Sequence, residues 1–313
     1  MYSVGVDIGG MSIKVGIVDS NGKIISKSVF ETTSNAYSCI DKLGETINLL
    51  IDNQGLQLSD IKGIGIGCPG SVQKENGFIE ILPNLGWEGV SIVELLKNKI
   101  NLPIEIANDA SAAVLGEFVY GQAKGLTDVI MFTLGTGVGG GMILNGKLYE
   151  GASSKGGELG HVTLHVDGYE CTCGRKGCVE TYVSATALIK ETKRAMLNDK
   201  SSKLWSCCEG DIDRVNGKTA FDCENIDQTA KSLVETYIKH LSESVLNMLN
   251  IFRPQMVVIG GGIGKQGKNL TDRVVEYCEK YHYGYPGALV PKIVPASLGN
   301  DAGIIGAAAL LNV

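Results

Sequence analysis

"YSVGVDIGGMSIKVGIVDSNGKIISKSVF", residues 2 to 30, sets three β-rich runs around two punctuation marks, "GG" and "DSNGK". That pattern predicts strand, tight turn, strand, hairpin and strand, with Asn21-Gly22 as the hairpin signal. The run after the glycines, "SIKVGIVD", is strand-like rather than helical. A Rossmann dinucleotide site, whose glycine turn opens a helix, is therefore a poor match, and the Walker A pattern is absent. "DVIMFTLGTGVGGGMILNGKLYEG", residues 128 to 151, repeats the grammar in other letters and ends on a second Asn-Gly, Asn145-Gly146. Two copies of one supersecondary unit predict a duplicated architecture.

Working outward, Ile40, Leu43, Ile47, Leu50 and Ile51 share one face of a helix expected over 36–53. "IKGIGIGCPG" then returns to a strand ending at Pro69-Gly70, and a helix over about 91–99, the strand "LPIEIAND" and a helix from about 110 follow. Strands alternating with helices predict α/β lobes with mixed sheets. A helix is expected from about 180, short helices and loops over 200–226, and the clearest amphipathic helix over 227–252, where Leu233, Val234, Tyr237, Ile238, Leu241, Val245, Leu246 and Leu249 align. "PQMVVIGGGIGKQG" is a strand entering a glycine turn, with a helix over about 268–281 beyond it. "VPASLGNDAGIIGAAALLN" closes the chain with a strand remnant, a helix start at Asn300-Asp301 and a helix of small residues. The expected division places 1–116 and 299–313 in one lobe and 117–298 in the other.

At 313 residues the chain exceeds one usual hydrophobic core, so two domains of about 150 residues are expected. Its 42 glycines are roughly twice the usual share. A net charge of −6 gives no basic surface for nucleic acid. No run approaches the ~18 apolar residues of a membrane span, and "MYSVGVDIGG" has no signal-peptide regions, so a cytoplasmic protein is expected. Nine cysteines without an export signal point to reduced thiols or metal ligands rather than a disulfide framework. Cys39, Cys68, Cys207, Cys208, Cys223 and Cys278 are scattered and read as core or incidental.

Three strand-linked glycine turns carry a phosphate signal: "DIGGMSIK" (7–14), "LGTGVGGG" (134–141) and "IGGGIGKQG" (259–267). Without a Cβ, a backbone can approach phosphate closely and aim its N–H groups at the oxygens. Asp7, just before the first turn, suits water-mediated Mg²⁺ or a turn cap. In "GHVTLHVDGYECTCGRKGCVE" (160–180), Cys171, Cys173 and Cys178 follow C-x-C-x₄-C, and His161 lies ten residues before the first of them. Cys₃His is a tetrahedral set that zinc takes in closed structural sites, with His165 as a competing ligand. The C-x-x-C of a thioredoxin-like redox motif is absent.

These elements together resemble the ROK family of sugar kinases, repressors and open reading frames, within the actin-like ATPase and hexokinase superfamily. The similarity runs from "GVDIGG" to "GNDAGIIGAA", through "IANDASAAVLGE", "LGTGVGGGMILNGKLYEG" and the diagnostic "GELGHVTLHVDGYECTCGRKGCVETYVS". The resemblance implies a two-lobed actin-like ATPase (ribonuclease H-like) α/β fold with duplicated mixed-sheet domains. It implies an ATP-dependent hexose kinase, first for the 6-hydroxyl of glucose. N-acetylmannosamine, N-acetylglucosamine, mannose, allose and fructose are alternatives, with polyphosphate as another possible donor. A sugar-binding repressor is the other class; repressors carry an N-terminal helix-turn-helix, whereas here the first strand begins at residue 2.

By the same resemblance, Asp109 is the base that deprotonates the attacking hydroxyl, beside Asn108; the residue-level alternative for Asp109 is a helix cap. Asn84, Asn108, Glu158, His161 and Glu180 would bind sugar hydroxyls, which carboxylates and imidazole can accept from. Gly9, Gly10, Ser12, Lys14, Thr136, Gly137, Gly261 and Gly262 would meet the nucleotide, with Asp7 on Mg²⁺. Asp301 would cap the last helix or face the nucleotide. His161, Cys171, Cys173 and Cys178 would hold structural Zn²⁺, and a homodimer is expected. Where the family has Thr after "DIGG", this chain has Met11, so a phosphate-facing hydroxyl is absent or comes from Ser12.

Overall fold

The computed structural model describes residues 1–70, 72–74, 76–82, 85–284 and 289–312. Contacts divide the chain into two units: Met1–Val129 with Gly141–Gly157 and Ser297–Val313, and Ile130–Gly140 with Glu158–Ala296.

In the first unit, β1 (Tyr2–Ile8), β2 (Ser12–Val18) and β3 (Ile24–Glu31) form the antiparallel meander anticipated from residues 2–30. The hairpin turns on Asp19: its backbone exchanges bonds with Gly22 and Lys23, and its carboxylate accepts from the N–H groups of Asn21 and Lys23. Gly22 alone takes positive φ (82°), giving a three-residue loop with a left-handed glycine instead of a two-residue Asn-Gly turn. Next come α1 (Ala36–Asn53), β4 (Ile61–Cys68), a small sheet of β5 (Val72–Gln73), β6 (Phe78–Leu82) and β7 (Trp87–Ser91), α2 (Ile92–Lys97), β8 (Ile104–Asn108) and α3 (Asp109–Val119). β4 runs parallel to both β1 and β8, which gives the order β3-β2-β1-β4-β8. Ile40, Leu43 and Ile47 of α1 are buried in one core with Val4, Val6, Val15 and Ile66 of the sheet.

The closing helix, Ala302–Ala309, explains several of the glycines. A Cβ on Gly5 would lie 1.9 Å from the Ile304 carbonyl oxygen, and one on Gly65 would lie 1.8 Å from that of Ala307. The helix thus rests on β1 and β4 backbone to backbone, which its own small residues permit.

Glu117 of α3 is fully buried. Its carboxylate accepts from the N–H groups of Ser297 (2.7 Å), Leu298 (2.9 Å) and Gln122 (2.9 Å) and from the Ser297 hydroxyl (2.8 Å). The boundary expected between 116 and 117 would cut α3 at this clamp; in the structure α3 stays whole in the first unit, and residues 297–298 rejoin that unit at Glu117. Glu117→Ala should strip buried donors of a charged acceptor and cost about 3 kcal/mol or more. A urea midpoint equal to that of the parent chain would refute the clamp.

The second sheet is built from β9 (Val129–Leu134), β10 (Val138–Leu144), β11 (Lys147–Leu148), β12 (Met256–Gly260) and β13 (Lys292–Pro295). Its order, β11-β10-β9-β12-β13, repeats that of the first: a hairpin pair on one side, parallel strands on the other. Asn145 (φ 53°) and Gly146 (φ 73°) form a two-residue turn with positive φ at both positions. The helices of the second unit are α4 (Glu180–Val183), α5 (Ala185–Asn198), α6 (Leu204–Cys207), α7 (Thr219–Cys223), α8 (Gln228–Phe252), α9 (Gly261–Gly264) and α10 (Lys268–Tyr281). α8 buries Val234, Tyr237, Ile238, Leu241 and Val245, as its periodicity predicted.

Two of the scattered cysteines are brought together: the sulfurs of Cys207 in α6 and Cys223 in α7 meet. Tertiary packing brings together two positions 16 residues apart, which spacing alone did not signal. Among the described residues no helix is long and apolar enough to cross a membrane.

Candidate active site

In the first unit, the turn between β1 and β2 is closed by the Gly9 N–H donating to the Ser12 carbonyl (3.0 Å), and Thr32 Oγ1 donates to the Gly9 carbonyl (2.8 Å). A Cβ on Gly10 would meet nothing within 4 Å, so this backbone faces open space. Met11 points outward, 87% exposed, and Ser12 opens β2. Asp7 and Lys14 are opposed across the β1–β2 ladder and pair at 2.8 Å. A Cβ on Gly303 would fall 2.4 Å from the Asp7 carboxyl carbon, so the first turn of the closing helix packs on this carboxylate. Asp301 is bound by Lys27, whose Nζ lies 3.1 Å from both oxygens.

Asn108 ends β8 and caps α3: its Oδ1 accepts from the N–H groups of Ala110 (2.9 Å) and Ser111 (3.3 Å), and its Nδ2 donates to the Gly70 carbonyl (3.1 Å). Asp109, the first residue of α3, is exposed and accepts the Ala110 N–H on Oδ1 at 2.8 Å. The cap that composition allowed Asp109 to supply is thus provided next door. Cys68, opposite Asn108 in the ladder, is fully buried; burial pushes its thiol far above the ordinary range, with the negative charge of Asp109 adding to the shift. The thiol therefore stays neutral beside that carboxylate. Asn84 lies outside the described residues; Trp87 of the same stretch is buried and donates Nε1–H to the Thr33 carbonyl.

In the second unit, the turn at Gly135, Thr136 and Gly137 is held from several sides. The Gly135 N–H donates to the Gly137 carbonyl (3.0 Å), the Gly135 carbonyl accepts from Ala185 N–H (2.8 Å), and Thr136 accepts from Thr186 Oγ1 (2.8 Å). Gly261 has φ 81°, and a Cβ there would stand 2.5 Å from the Leu134 backbone, bringing the third glycine turn against the end of β9. A Cβ on Gly262 would lie 3.8 Å from the Leu134 carbonyl.

The cysteine loop brings together the three cysteines and, of the two histidines the spacing left open, His161. One donor atom from each of His161, Cys171, Cys173 and Cys178 lies within 4.8 Å of the others. Cys171 Sγ is 3.6 Å from His161 Nδ1, and Cys173 Sγ is 3.7 Å from Cys178 Sγ. A tetrahedron with zinc-type bond lengths has edges of about 3.6 Å between sulfur and nitrogen and about 3.8 Å between sulfurs. Donor chemistry and these two edges therefore suit a zinc ion. Burial and the neighbouring thiols push Cys178 up to about 12, so a bound cation is needed to hold it as thiolate.

His165 is not in this cluster. Its ring packs edge-on against Tyr182 (4.7 Å) and His240 (5.1 Å), so it buttresses the loop on α8. A Cβ on Gly177 (φ 74°) would strike the His165 carbonyl at 1.5 Å, and the Gly177 carbonyl accepts from the N–H groups of Leu164 and His165. Glu158 is exposed, and its carbonyl accepts from the His161 N–H (3.0 Å). Glu180 begins α4; one oxygen lies 3.9 Å from Cys171 Sγ and the other accepts the Val138 N–H at 2.9 Å. No local pattern signals that last bond, which spans 42 positions.

The sequence pattern of the ROK family matches residues 3–313. This chain belongs to the ROK family. It is 33% identical to the glucokinase of Thermotoga maritima, across 98% of this chain and 96% of that one. To the glucokinase of Halalkalibacterium halodurans it is 32% identical, across 97% and 93%. Its structure is similar to that of a ROK family glucokinase from Streptomyces griseus in complex with glucose and AMPPNP, with a TM-score of 0.85, 29% identity and 99% of each chain covered. The fold expected from the resemblance, α/β with duplicated mixed sheets of actin-like ATPase type, is the fold observed.

Proposed function

We propose that this ROK protein is an ATP-dependent hexose kinase, transferring the γ-phosphate to a sugar hydroxyl, with the 6-hydroxyl of glucose as its first substrate. The observation that carries this is the likeness, over 99% of the chain, to a glucokinase solved with glucose and a nucleotide analogue. Phosphoryl transfer asks for positioning, charge neutralisation and one aligned base. Asp109 accepts the hydroxyl proton as that oxygen attacks the phosphorus, while Asn108 keeps α3 capped. Glu158, His161 and Glu180 accept from sugar hydroxyls. Gly9, Gly10, Ser12, Lys14, Thr136, Gly137, Gly261 and Gly262 are the residues assigned to the nucleotide. Asp7 offers a carboxylate oxygen to a divalent cation through water, and a cation there supplies charge neutralisation.

Zinc is the proposed occupant of the Cys₃His cluster. Four protein donors leave no open position for a reacting water, so its role is to clip the loop. With Nδ1 of His161 turned to the cluster, Nε2 is the nitrogen for the sugar. An ADP-release assay across glucose, mannose, N-acetylmannosamine, N-acetylglucosamine, allose and fructose tests the proposal. Glucose should give the highest kcat/KM. A higher value for another hexose moves the specificity, and no turnover of any hexose sinks the kinase in favour of a sugar-binding protein.

A further inference from the structure

We infer that Glu180 is a positioning residue for the second phosphate turn, fixing its shape so that nucleotide affinity depends on this carboxylate before any sugar is present. The inference rests on the kinase proposal and adds to it a link between the loop that carries the cysteines and the turn that meets the nucleotide.

Several observations converge on one oxygen. Glu180 Oε2 accepts the Val138 N–H at 2.9 Å, at the point where the turn becomes β10. A Cβ on Gly137, the residue before it, would stand 2.3 Å from that same Oε2, so a side chain there would push the carboxylate off the Val138 N–H. The carbonyls of Gly135, Thr136 and Gly137 are already engaged by Ala185 N–H, Thr186 Oγ1 and Gly135 N–H. With its carbonyls and the Gly135 N–H committed within the protein, the turn keeps the N–H groups of Thr136 and Gly137 for an anion. The Val138 bond locks the far end of that arrangement, and a bond to a carboxylate is about twice as strong as one between neutral groups.

The other end of Glu180 is equally fixed. It follows Cys178 and Val179 directly, and the Val179 N–H donates to the Val162 carbonyl (2.9 Å), one residue beyond His161. The Thr181 N–H returns to the Cys178 carbonyl (3.0 Å). The backbone that aims Glu180 at the turn is therefore the backbone that carries two of the cluster's four donors.

The test is calorimetric titration of AMPPNP, with magnesium and without sugar, into the full chain and its variants. Glu180→Ala should weaken binding about tenfold or more, the loss of one charge-assisted hydrogen bond. Glu180→Gln keeps a carbonyl oxygen for the Val138 N–H and should stay within about threefold of the parent. Gly137→Ala, which drives a methyl into the space of the carboxylate, should weaken binding at least as much as Glu180→Ala. Matched thermal midpoints would show that each variant folds. Parent-like affinity in a folded Glu180→Ala protein would overturn the inference alone. An unsubstituted chain that binds no AMPPNP would overturn the kinase proposal and this inference with it.

Discussion

Asp109→Asn should lower kcat about 10²- to 10⁴-fold, the range supplied by a positioned general base, while sugar affinity changes little. The structure separates the two effects well. The amide introduced by this substitution would keep an oxygen for the Ala110 N–H, and the α3 cap belongs to Asn108, so neither local contact that holds the helix start is lost. What disappears is the basicity. An amide cannot take the hydroxyl proton, and the buried, neutral Cys68 thiol beside it offers no replacement. Thermal midpoint and glucose titration should therefore match the parent, with only turnover collapsed. Turnover within a few fold of the parent would remove Asp109 from the proton transfer. Loss of the fold with the activity would show that the carboxylate serves the start of α3 instead.

How far the sequence reached depends on the range of the interaction. Hairpins, glycine turns and the α8 face are written in neighbouring residues, because turn chemistry and periodicity act over a few positions. The cysteine cluster was legible for the same reason, its four donors lying within eighteen consecutive residues. What escaped was long-range pairing of side chains. Glu117 reads as one polar residue in "AAVLGEFVYG", and only folding shows its partners at Ser297 and Leu298, 180 and 181 positions away. Asp7 was expected to serve Mg²⁺ and Lys14 the nucleotide; what the sequence did not show is that they pair with one another, since the register of β1 on β2 opposes them. Asn21-Gly22 signalled a hairpin correctly but not its loop type, because the Asp19 carboxylate, which caps two N–H groups there, selects the longer turn.

Protein purified without chelator should carry about one zinc per chain, and stripping it should loosen residues 160–180 and abolish sugar phosphorylation. Besides the four donors, the loop is held by turn hydrogen bonds around Gly177 and Arg175 and by the packing of His165 on Tyr182 and His240. Between Val162 and Cys178 its regular structure amounts to two isolated bridges, Thr163 with Cys178 and Glu170 with Lys176, while Val166, Tyr169 and Cys173 are exposed. A metal bound by three thiolates and an imidazole contributes folding free energy directly, on the order of 10 kcal/mol in small zinc modules at neutral pH. No other contact in this loop approaches that. Because the ligands must be deprotonated, metal affinity should fall as pH is lowered, and acidification should release the ion before the helical core of α8 yields. Cys178→Ser, which removes one fully buried ligand, should weaken zinc by at least about 100-fold, more than loss of a supporting residue outside the donor set. Hydrogen exchange should then show the amides of 160–180 unprotected while α1, in the other unit, keeps its protection. Metal-free protein with native protection in this loop would deny zinc its structural role, and the fourfold donor geometry would have to be read as a cluster of packed thiols.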